Sequence, residues 1–490
     1  MSALSEARVE RPVEEISADT TAGGAQAFGG AADLQKAVFD RAARAAERGD
    51  FSEALIIAAE GLVIDRLRPE AWCAYGQILR QSGRPRDAAH CFSRAIELSP
   101  NDAGFWSELG GAFNMSKAFT RSLACHERAI GLAPNNTELL HNYGAALMQA
   151  GREEAAAEMF DRVLALRPAS PRAQWERGVC RLRLGDYAGG WPGYEARLKP
   201  GMRAAQPPAP LSLPKWAGES LDGRTLLVAA EQGLGDMIWC ARYLRSLRRM
   251  GARVILQCGV ELVELFKANA VADQLVVLGQ ELPAADFYID MCSLPPFFVR
   301  SAADIDGAAY LSAPEERRSK FAPWLTPPGA PLRIGINWSG NPRFPGNRDR
   351  SADVGQFIHA FDQPGVQLYS LQKGPAASEL SALSMARLAR PRVVDLGALF
   401  DDLADAAAAC MELDLVVTTC TSMAHLCGAL GVPVWLLLNF RGYWLWGLTG
   451  QHTPWYRSMS LIRAERWNDW GGVFDCAGAR LQELLSYRVV

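Results

Sequence analysis

Small residues and prolines recur at a fixed spacing over the first two hundred residues of the chain. The residues that repeat every 34 positions are Gly76, Gly110, Gly144 and Gly178, followed by Pro100, Pro134 and Pro168. Trp72 and Trp106 each lie four positions before one of these glycines. A period of this length predicts two antiparallel helices per unit, in which glycine lets the second helix approach and proline ends it.

The second helix of each unit carries a matching set of positions. Its small residues, again 34 positions apart, are Ala88, Ser122 and Ala156. Phe92 and Phe160 are placed to fill the gap beside the glycine. Three residue classes in phase are typical of tetratricopeptide repeats. The sequence therefore predicts an N-terminal tetratricopeptide helical solenoid over residues 31–198.

Such an array is either a plain helical scaffold or a concave groove that binds a peptide or protein partner. The candidate groove residues are Trp72, Asn114 and Asn142. We favour the groove.

The pattern changes on both sides of the repeats. Residues 1–30 are rich in Ala, Gly, Ser, Thr and Glu, so we expect them to be disordered. Residues 199–215 are rich in proline and predict a linker. Beyond it, short apolar runs alternate with helical patterns, which indicates parallel sheets covered by helices. The predicted strands are 225–230, 253–258, 274–278, 332–337, 367–371, 393–395, 413–418 and 432–438.

A second proline-rich stretch near residue 328 divides these strands into two groups. The fold class predicted is therefore α + α/β, with two Rossmann-like lobes at residues 216–328 and 329–490. Because ligands in open α/β sheets bind beyond the carboxyl ends of strands, we expect the site in the cleft between the lobes.

Composition limits the partners of the chain. Its formal charge is −3 and its pI is about 6.2, so bulk electrostatics does not favour nucleic acid. The chain has no apolar run long enough to span a membrane and begins without a signal-peptide pattern, which predicts a cytoplasmic protein. The 11 cysteines and six histidines show no metal-ligand spacing. We therefore expect no metal and no cofactor.

The loop Gly233-Leu234-Gly235-Asp236 lies between a predicted strand and a helix predicted to start near Met237. Glycines at 233 and 235 allow close backbone approach and positive φ, and free N–H groups at a helix start attract an anion such as a phosphate. Asp236 is either the N-cap of that helix or a general base that faces the cleft.

Polar residues follow several strands of the second lobe. Asn337, Trp338, Ser339 and Gly340 come at the end of one strand in the stretch GINWSGNPRFPGNRDRS, and Lys373 follows another strand. A lysine there would face a phosphate as a compact charge, although it is alternatively a solvated surface charge.

A third strand is followed by Thr421, Ser422 and His425, and an aromatic and basic stretch, PWYRSMSLIR, lies near the C-terminus. Thr421 and Ser422 are alternatively helix caps, and His425 a buried core histidine. Together these strand ends favour a phosphate-bearing ligand.

The motifs EQGLGD, NWSGNPR, SLQKG, TSMAHLCGALGVPVW and PWYRSM resemble those of bacterial tetratricopeptide-fused glycosyltransferases, which are related to the heptosyltransferase family and distantly to protein O-GlcNAc transferases. The resemblance covers about residues 70 to 475. It implies a GT-B fold and a metal-independent enzyme whose co-substrate is a nucleotide sugar held mainly by the second lobe. It also implies that Asp236 is the base, that Lys373 binds phosphate, and that Thr421, Ser422 and His425 form the diphosphate-binding helix start.

Two positions depart from the family pattern. Cys420 precedes the Thr-Ser pair where family members usually have Asp, and Leu445 replaces the arginine of an Asp-Trp-Arg-Trp-like stretch. The leading hypothesis is a glycosyltransferase acting on a protein recruited by the repeats, with flagellin or another surface protein as a candidate acceptor. The alternatives are a non-catalytic binding or scaffold protein, which these two positions favour, and a glycan-assembly transferase for a lipid-linked or surface sugar.

Overall fold

The computed structural model describes residues 30–202, 213–325, 331–386 and 393–487. All but the last residue of the segment 1–30 predicted to be disordered, most of the predicted linker and the division near residue 328 lie outside these ranges. Contacts between residues divide the chain into two compact units, residues 1–146 and residues 147–490.

The described part of the first unit is built from helices. Their bounds are α1 Ala31–Glu47, α2 Phe51–Ile64, α3 Pro69–Gln81, α4 Pro85–Leu98, α5 Ala103–Met115 and α6 Phe119–Leu132, followed by α7 Thr137–Gln149, which continues past the end of the unit. The helices α4 and α6 end two residues before Pro100 and Pro134, as the repeat predicts.

In two of the repeats the glycine receives an aromatic ring from the second helix. A Cβ atom on Gly76 would lie 2.8 Å from the ring of Phe92, and one on Gly110 would lie 2.7 Å from His126. His126 thus takes the place that phenylalanine has in the neighbouring repeat, and burial lowers the pKa of its imidazole to about 4. Close helix approach at these glycines confirms the predicted helix pairs.

The second unit begins with the helices α8 Glu153–Leu166, α9 Pro171–Arg183 and α10 Tyr187–Tyr194, and then a 3₁₀ turn at Glu195–Leu198. The α10 helix packs on α9 so closely that a Cβ atom on Gly178 would lie 2.7 Å from the backbone of Gly193. The helical array from Ala31 to Tyr194 is thus followed by an α/β region within the second unit.

The first sheet has four parallel strands in the order β3-β2-β1-β4. Its elements are β1 Thr225–Ala229, α11 Leu234–Cys240, α12 Leu244–Arg249, β2 Arg253–Cys258, α13 Val263–Ala268, β3 Gln274–Val277, β4 Phe287–Asp290, α14 Pro295–Phe298 and α15 Glu315–Arg318. The edge strand β4 was not among the predicted strands.

The second sheet has six parallel strands in the order β10-β9-β8-β5-β6-β7. Its elements are β5 Leu332–Asn337, α16 Asn347–Arg350, α17 Val354–Phe361, β6 Val366–Ser370, α18 Ala377–Ala386, β7 Val393–Asp395, α19 Leu403–Met411, β8 Leu415–Thr419, α20 Ser422–Leu430, β9 Val434–Leu438, β10 Met459–Arg463 and α21 Trp470–Ser486. The edge strand β10 lies in the stretch PWYRSMSLIR, which the sequence analysis treated as a site motif.

Most cysteines lie inside the fold. Nine of the 11 are buried, Cys73 is half-buried and Cys476 on α21 is exposed. All 11 fall within the described ranges, and no disulfide links them there.

Candidate functional site

The candidate residues of the second sheet meet because their strands are neighbours. The strands β8, β5 and β6 are adjacent and parallel, so their carboxyl ends share one edge. Asn337, at the end of β5, donates from Nδ2 to Gln372 Oε1 at 3.0 Å. Its Oδ1 accepts from the Thr421 hydroxyl at 2.8 Å and from Thr418 at 3.2 Å. Asn337 is buried and ties three strand ends together, so its role here is to hold the loops.

Gln372 shapes the loop that follows β5, and the sequence analysis did not single it out. Its Oε1 also accepts from the backbone N–H groups of Trp338 at 3.2 Å and Ser339 at 3.0 Å. Its Nε2 donates to the carbonyl oxygens of Ser339 and Lys373, both at 3.0 Å. A buried amide with these bonds fixes the backbone. The signal in the sequence is a polar residue between a buried strand and Lys373.

The loop residues themselves divide into an anchor and a rim. Trp338 is fully buried and donates from Nε1 to Glu379 Oε2 at 3.0 Å, so it anchors the loop in the core. The Ser339 hydroxyl lies 3.0 Å from that of Ser351. A Cβ atom on Gly340 would lie 2.6 Å from the guanidinium of Arg350. Glycine at this position therefore leaves room for the arginine.

Arg350 is the cation that the sequence analysis missed. It is half-buried, donates from Nε to Asn347 Oδ1 at 3.2 Å, and lies 4.6 Å from the centre of the Phe344 ring. Within the described ranges of the chain it pairs with no carboxylate. Its charge acts on Asp236 and Cys420, whose pKa values it lowers. Its guanidinium is therefore available to an anion.

Lys373 and Thr421 lie on the same edge but use their polar atoms within the protein. The exposed Lys373 donates from Nζ to the carbonyl oxygen of Phe400. Thr421 is at the N-cap position of α20, yet its hydroxyl turns to Asn337 and caps no N–H group. The first turn of α20, which begins at Ser422, thus has no side-chain cap.

His425 lies in the contact between α11 and α20. It is buried, its Nδ1 lies 3.0 Å from the Tyr456 hydroxyl, and its ring centre is 5.0 Å from that of Trp446. A Cβ atom on Gly235 would lie 2.8 Å from its Cδ2. Burial, with the nearby charges of two arginines, lowers the pKa of His425 to about 3. The imidazole is therefore neutral and packs the two helices together.

Asp236 both caps its helix and faces the opposite sheet. The α11 helix begins at Leu234, three residues before the predicted start, so Gly233 is the N-cap and Asp236 lies one turn inside. Its Oδ2 accepts from the Gly233 N–H at 3.3 Å, and its Oδ1 accepts from the Tyr443 hydroxyl at 3.1 Å. Burial, and the charge of Glu231, raise the pKa of the carboxyl. A raised pKa suits a group that must take up a proton.

The loop before Asp236 is held in place by α10 and the 3₁₀ turn that follows it. Gln232 has φ of 62°, a left-handed value that is uncommon outside glycine, and its Nε2 donates to the Tyr194 hydroxyl at 2.9 Å. Arg197 makes a two-pronged pair with Glu231 at 2.7 and 2.9 Å. The predicted positive φ thus falls on Gln232, while Gly233 has φ of −95°.

The two positions that depart from the family pattern are buried next to this site. Cys420 accepts a hydrogen bond from Trp446 Nε1 at 3.1 Å, and burial raises the pKa of its thiol. Leu445 is buried. Trp444 packs edge-on against four rings, those of Trp191, Tyr194, Trp239 and Trp455. This stretch therefore builds a rigid aromatic wall behind Asp236.

Two cavities open beside α10 and the 3₁₀ turn that follows it. One has a volume of about 330 Å³ and is lined in part by Lys215, Trp216 and Phe297. The other, of about 390 Å³, is lined by Trp191, Arg300 and their neighbours, and both share Glu195 and Pro296. Neither is lined by Asp236.

The candidate groove residues lie in the first unit. Trp72 is half-buried and donates from Nε1 to the Arg66 carbonyl at 2.8 Å. Asn142 donates to the Ser107 hydroxyl at 3.3 Å, whereas the buried Oδ1 of Asn114 accepts no hydrogen bond. An unsatisfied amide oxygen is one atom that a bound peptide could use.

Among the described residues, no group of three or more His, Cys, Asp or Glu side chains could hold a metal ion. Over those residues, too, no helix has the length and apolar character needed to cross a membrane.

Comparisons with known proteins identify the repeats. Sequence profiles of the tetratricopeptide repeat match residues 69–102 and 144–208. Protein FlbA of Caulobacter vibrioides is 26% identical over 423 residues, which cover 80% of this chain and 69% of FlbA.

Several solved structures are similar to part of the chain. MamA is 20% identical, with a TM-score of 0.29, and the match covers 32% of this chain and 92% of MamA. YrrB, described as a TPR protein with an unusual peptide-binding site, is 18% identical with a TM-score of 0.28, over 33% of this chain and 83% of YrrB. PilF of Pseudomonas aeruginosa is 16% identical with a TM-score of 0.34, over 45% and 88%. The chain thus combines tetratricopeptide repeats, which commonly mediate protein–protein interaction, with an α/β region of two parallel sheets.

Proposed function

We propose that this chain transfers a glycosyl group from a nucleotide-activated sugar to a protein that its repeats recruit. The observation that carries the proposal is that Asp236, a proton acceptor, interacts electrostatically with Arg350, a cation that pairs with no carboxylate among the described residues. Asp236 lies on α11, which follows a strand of the first sheet, and Arg350 on α16, which follows a strand of the second. The charge of Arg350 lowers the pKa of Asp236. Such an arrangement suits a reaction that needs a base and an anion site near each other.

The anion site is assigned to Arg350, to Lys373 and to the uncapped first turn of α20. A guanidinium presents a planar fork of donors to a phosphate, and the N–H groups of a helix start add partial positive charge. Gly340 and Ser339 form the adjoining rim, which Gln372 holds in place. The diphosphate of a nucleotide sugar has the charge that this set would neutralise.

Asp236 is assigned the role of base. The acceptor oxygen or nitrogen attacks the anomeric carbon, its proton passes to Asp236, and the bond from the anomeric carbon to the diphosphate breaks with its electron pair on the diphosphate. Arg350 and the start of α20 stabilise the negative charge that develops there. This division of labour requires no metal ion.

The test compares Asp236→Asn with Arg350→Gln, using a nucleoside diphosphate in calorimetry and a nucleotide sugar in a transfer assay. Asp236→Asn should bind the nucleotide as the parent does but transfer sugar about 10²-fold more slowly or worse, because an amide cannot take up the proton. Arg350→Gln should bind about ten-fold more weakly, because a charge-assisted contact is lost. The exposed Arg348→Gln is the matched control.

Full transfer by Asp236→Asn would remove Asp236 from the reaction. Nucleotide binding by the parent without transfer to any protein would favour a binding module, for which the buried thiol of Cys420 and the neutral His425 already speak. Transfer to a lipid-linked or surface sugar, in place of a protein, would support glycan assembly.

A further inference from the structure

Asp236 uses its two carboxylate oxygens differently. Oδ2 turns back to the Gly233 N–H, whereas Oδ1 accepts from the Tyr443 hydroxyl at 3.1 Å. Each carboxylate oxygen has two lone pairs, so Oδ1 keeps one site for a substrate proton. The phenol therefore helps to define where the remaining lone pair points.

Tyr443 is itself held by its surroundings. It is half-buried in the loop after β9, and its ring centre lies 5.5 Å from that of Trp444. Trp444 is buried against Trp191 of α10 and Trp239 of α11, with ring centres 5.7 and 5.6 Å away. A hydroxyl mounted on such a wall has little freedom to follow a moving carboxylate.

We propose that Tyr443 is a positioning residue for Asp236, one that holds the ionised carboxylate towards the cleft through the hydrogen bond to Oδ1. The inference rests on the proposed function, in which Asp236 is the base. The hydrogen bond that a phenol donates to an ionised carboxylate is charge-assisted and stronger than any it makes with the neutral carboxylic acid. Tyr443 therefore favours the ionised form.

Several other titratable or charged groups surround Asp236. The groups that interact with its charge are Glu231, Arg350, Tyr194, Tyr443, Cys240, Cys292 and Cys420. Burial raises the pKa values of Tyr194 and Tyr443 well above 10, so both phenols stay protonated. Glu231 is paired with Arg197. Replacing Tyr443 with Phe removes the hydrogen bond to Asp236 and changes no other part of the side chain.

The experiment replaces Tyr443 with Phe, which keeps the ring and deletes the donor. Infrared difference titration, with Asp236→Asn to identify the band, should show the Asp236 pKa rising by about one to two units. The acid limb of the transfer rate should move to higher pH by the same amount, because the base is then protonated over a wider range. Tyr487→Phe, at an exposed tyrosine, should change neither.

A second variant guards against loss of fold. A fluorinated tyrosine at position 443 keeps the shape and strengthens the donor, so the Asp236 pKa should fall. An unchanged Asp236 pKa in both folded variants would overturn the proposal. The infrared readout does not need turnover, so a parent without transferase activity would defeat the proposed function while leaving the Tyr443 inference tested on its own.

Discussion

Two glycines in the loop after β1 face different neighbours. A Cβ atom on Gly235 would lie 2.8 Å from the His425 ring and 3.4 Å from Ser422 Cα. A Cβ atom on Gly233 would meet only the Asp236 carboxylate, at 3.6 Å. Neither glycine needs a left-handed φ. Gly235 is therefore required for helix approach, and Gly233 is not.

The prediction at this scale is that Gly235→Ala destabilises the chain more than Gly233→Ala, which changes only an N-cap residue. Overpacking against the caged His425 should cost about 1–3 kcal/mol in the free energy of unfolding. Denaturant unfolding of the two variants measures it, and the second serves as the matched control. Equal stabilities would mean that α11 and α20 can move apart freely.

Asp236, Asn337 and Thr421 were candidates from the sequence because polar residues at strand ends stand out against apolar runs. Sequence reasoning did not find Gln372 or Tyr443, since each acts on a residue far away in sequence. It placed the start of α11 too late because Gly-Leu-Gly has low helix propensity, which hides the first turn. The depressed pKa of His425 depends on burial, which the sequence shows only indirectly.

At the scale of elements, all six interior strands and two of the four edge strands, β3 and β7, were predicted. Each of the eight predicted strands lies within two residues of an observed one. The two missed strands lie at edges. β4 has one buried residue in four, and β10 lies in the stretch PWYRSMSLIR, whose aromatic and basic residues were interpreted as a site motif. The helix α10 and the 3₁₀ turn after it also have a role beyond ending the repeat array. They supply Tyr194 and Arg197, which brace the loop that carries Asp236.

The prediction for this segment concerns Arg197. Its side chain and that of Glu231 are 9% and 13% exposed, so Arg197→Met leaves a nearly buried carboxylate unpaired. We expect a loss of about 3–5 kcal/mol in the free energy of unfolding, partly recovered by adding Glu231→Gln. The exposed pair of Arg224 with Asp286 gives the control, and Arg224→Met should cost at most about 1 kcal/mol. A similar loss in both single variants would contradict the bracing role.

At the scale of the whole molecule, the second compact unit begins before the repeat pattern of the sequence ends. The repeat pattern continues to about residue 198, whereas the second compact unit starts at Leu147. The reason is visible in single contacts. Trp191 donates from Nε1 to the Val299 carbonyl at 2.6 Å, and Arg183 donates to the Gly442 carbonyl at 3.0 Å. The helices α8 to α10 thus fold with the sheets.

Two truncated chains test this. A chain of residues 136–490, which keeps α7 whole, should be monodisperse and melt cooperatively. A chain of residues 213–490 should expose the aromatic wall around Trp444 and aggregate, because the rings of Trp191 and Tyr194 are missing. Light scattering and calorimetry on both chains provide the measurement. Equal behaviour of the two would show that the sheets do not need the helices.

The exposed thiol of Cys476 allows the chain to be labelled for spectroscopy. Buried thiols react slowly with maleimides, and burial raises the pKa of several of them, among them Cys180 and Cys240, which lowers their thiolate fraction further. A dye or spin label added under mild conditions would therefore settle mainly on Cys476, on the helix that packs against α17. The wild-type chain thus carries its own reporter position, from which ligand-induced changes in the second sheet can be followed without removing a single cysteine.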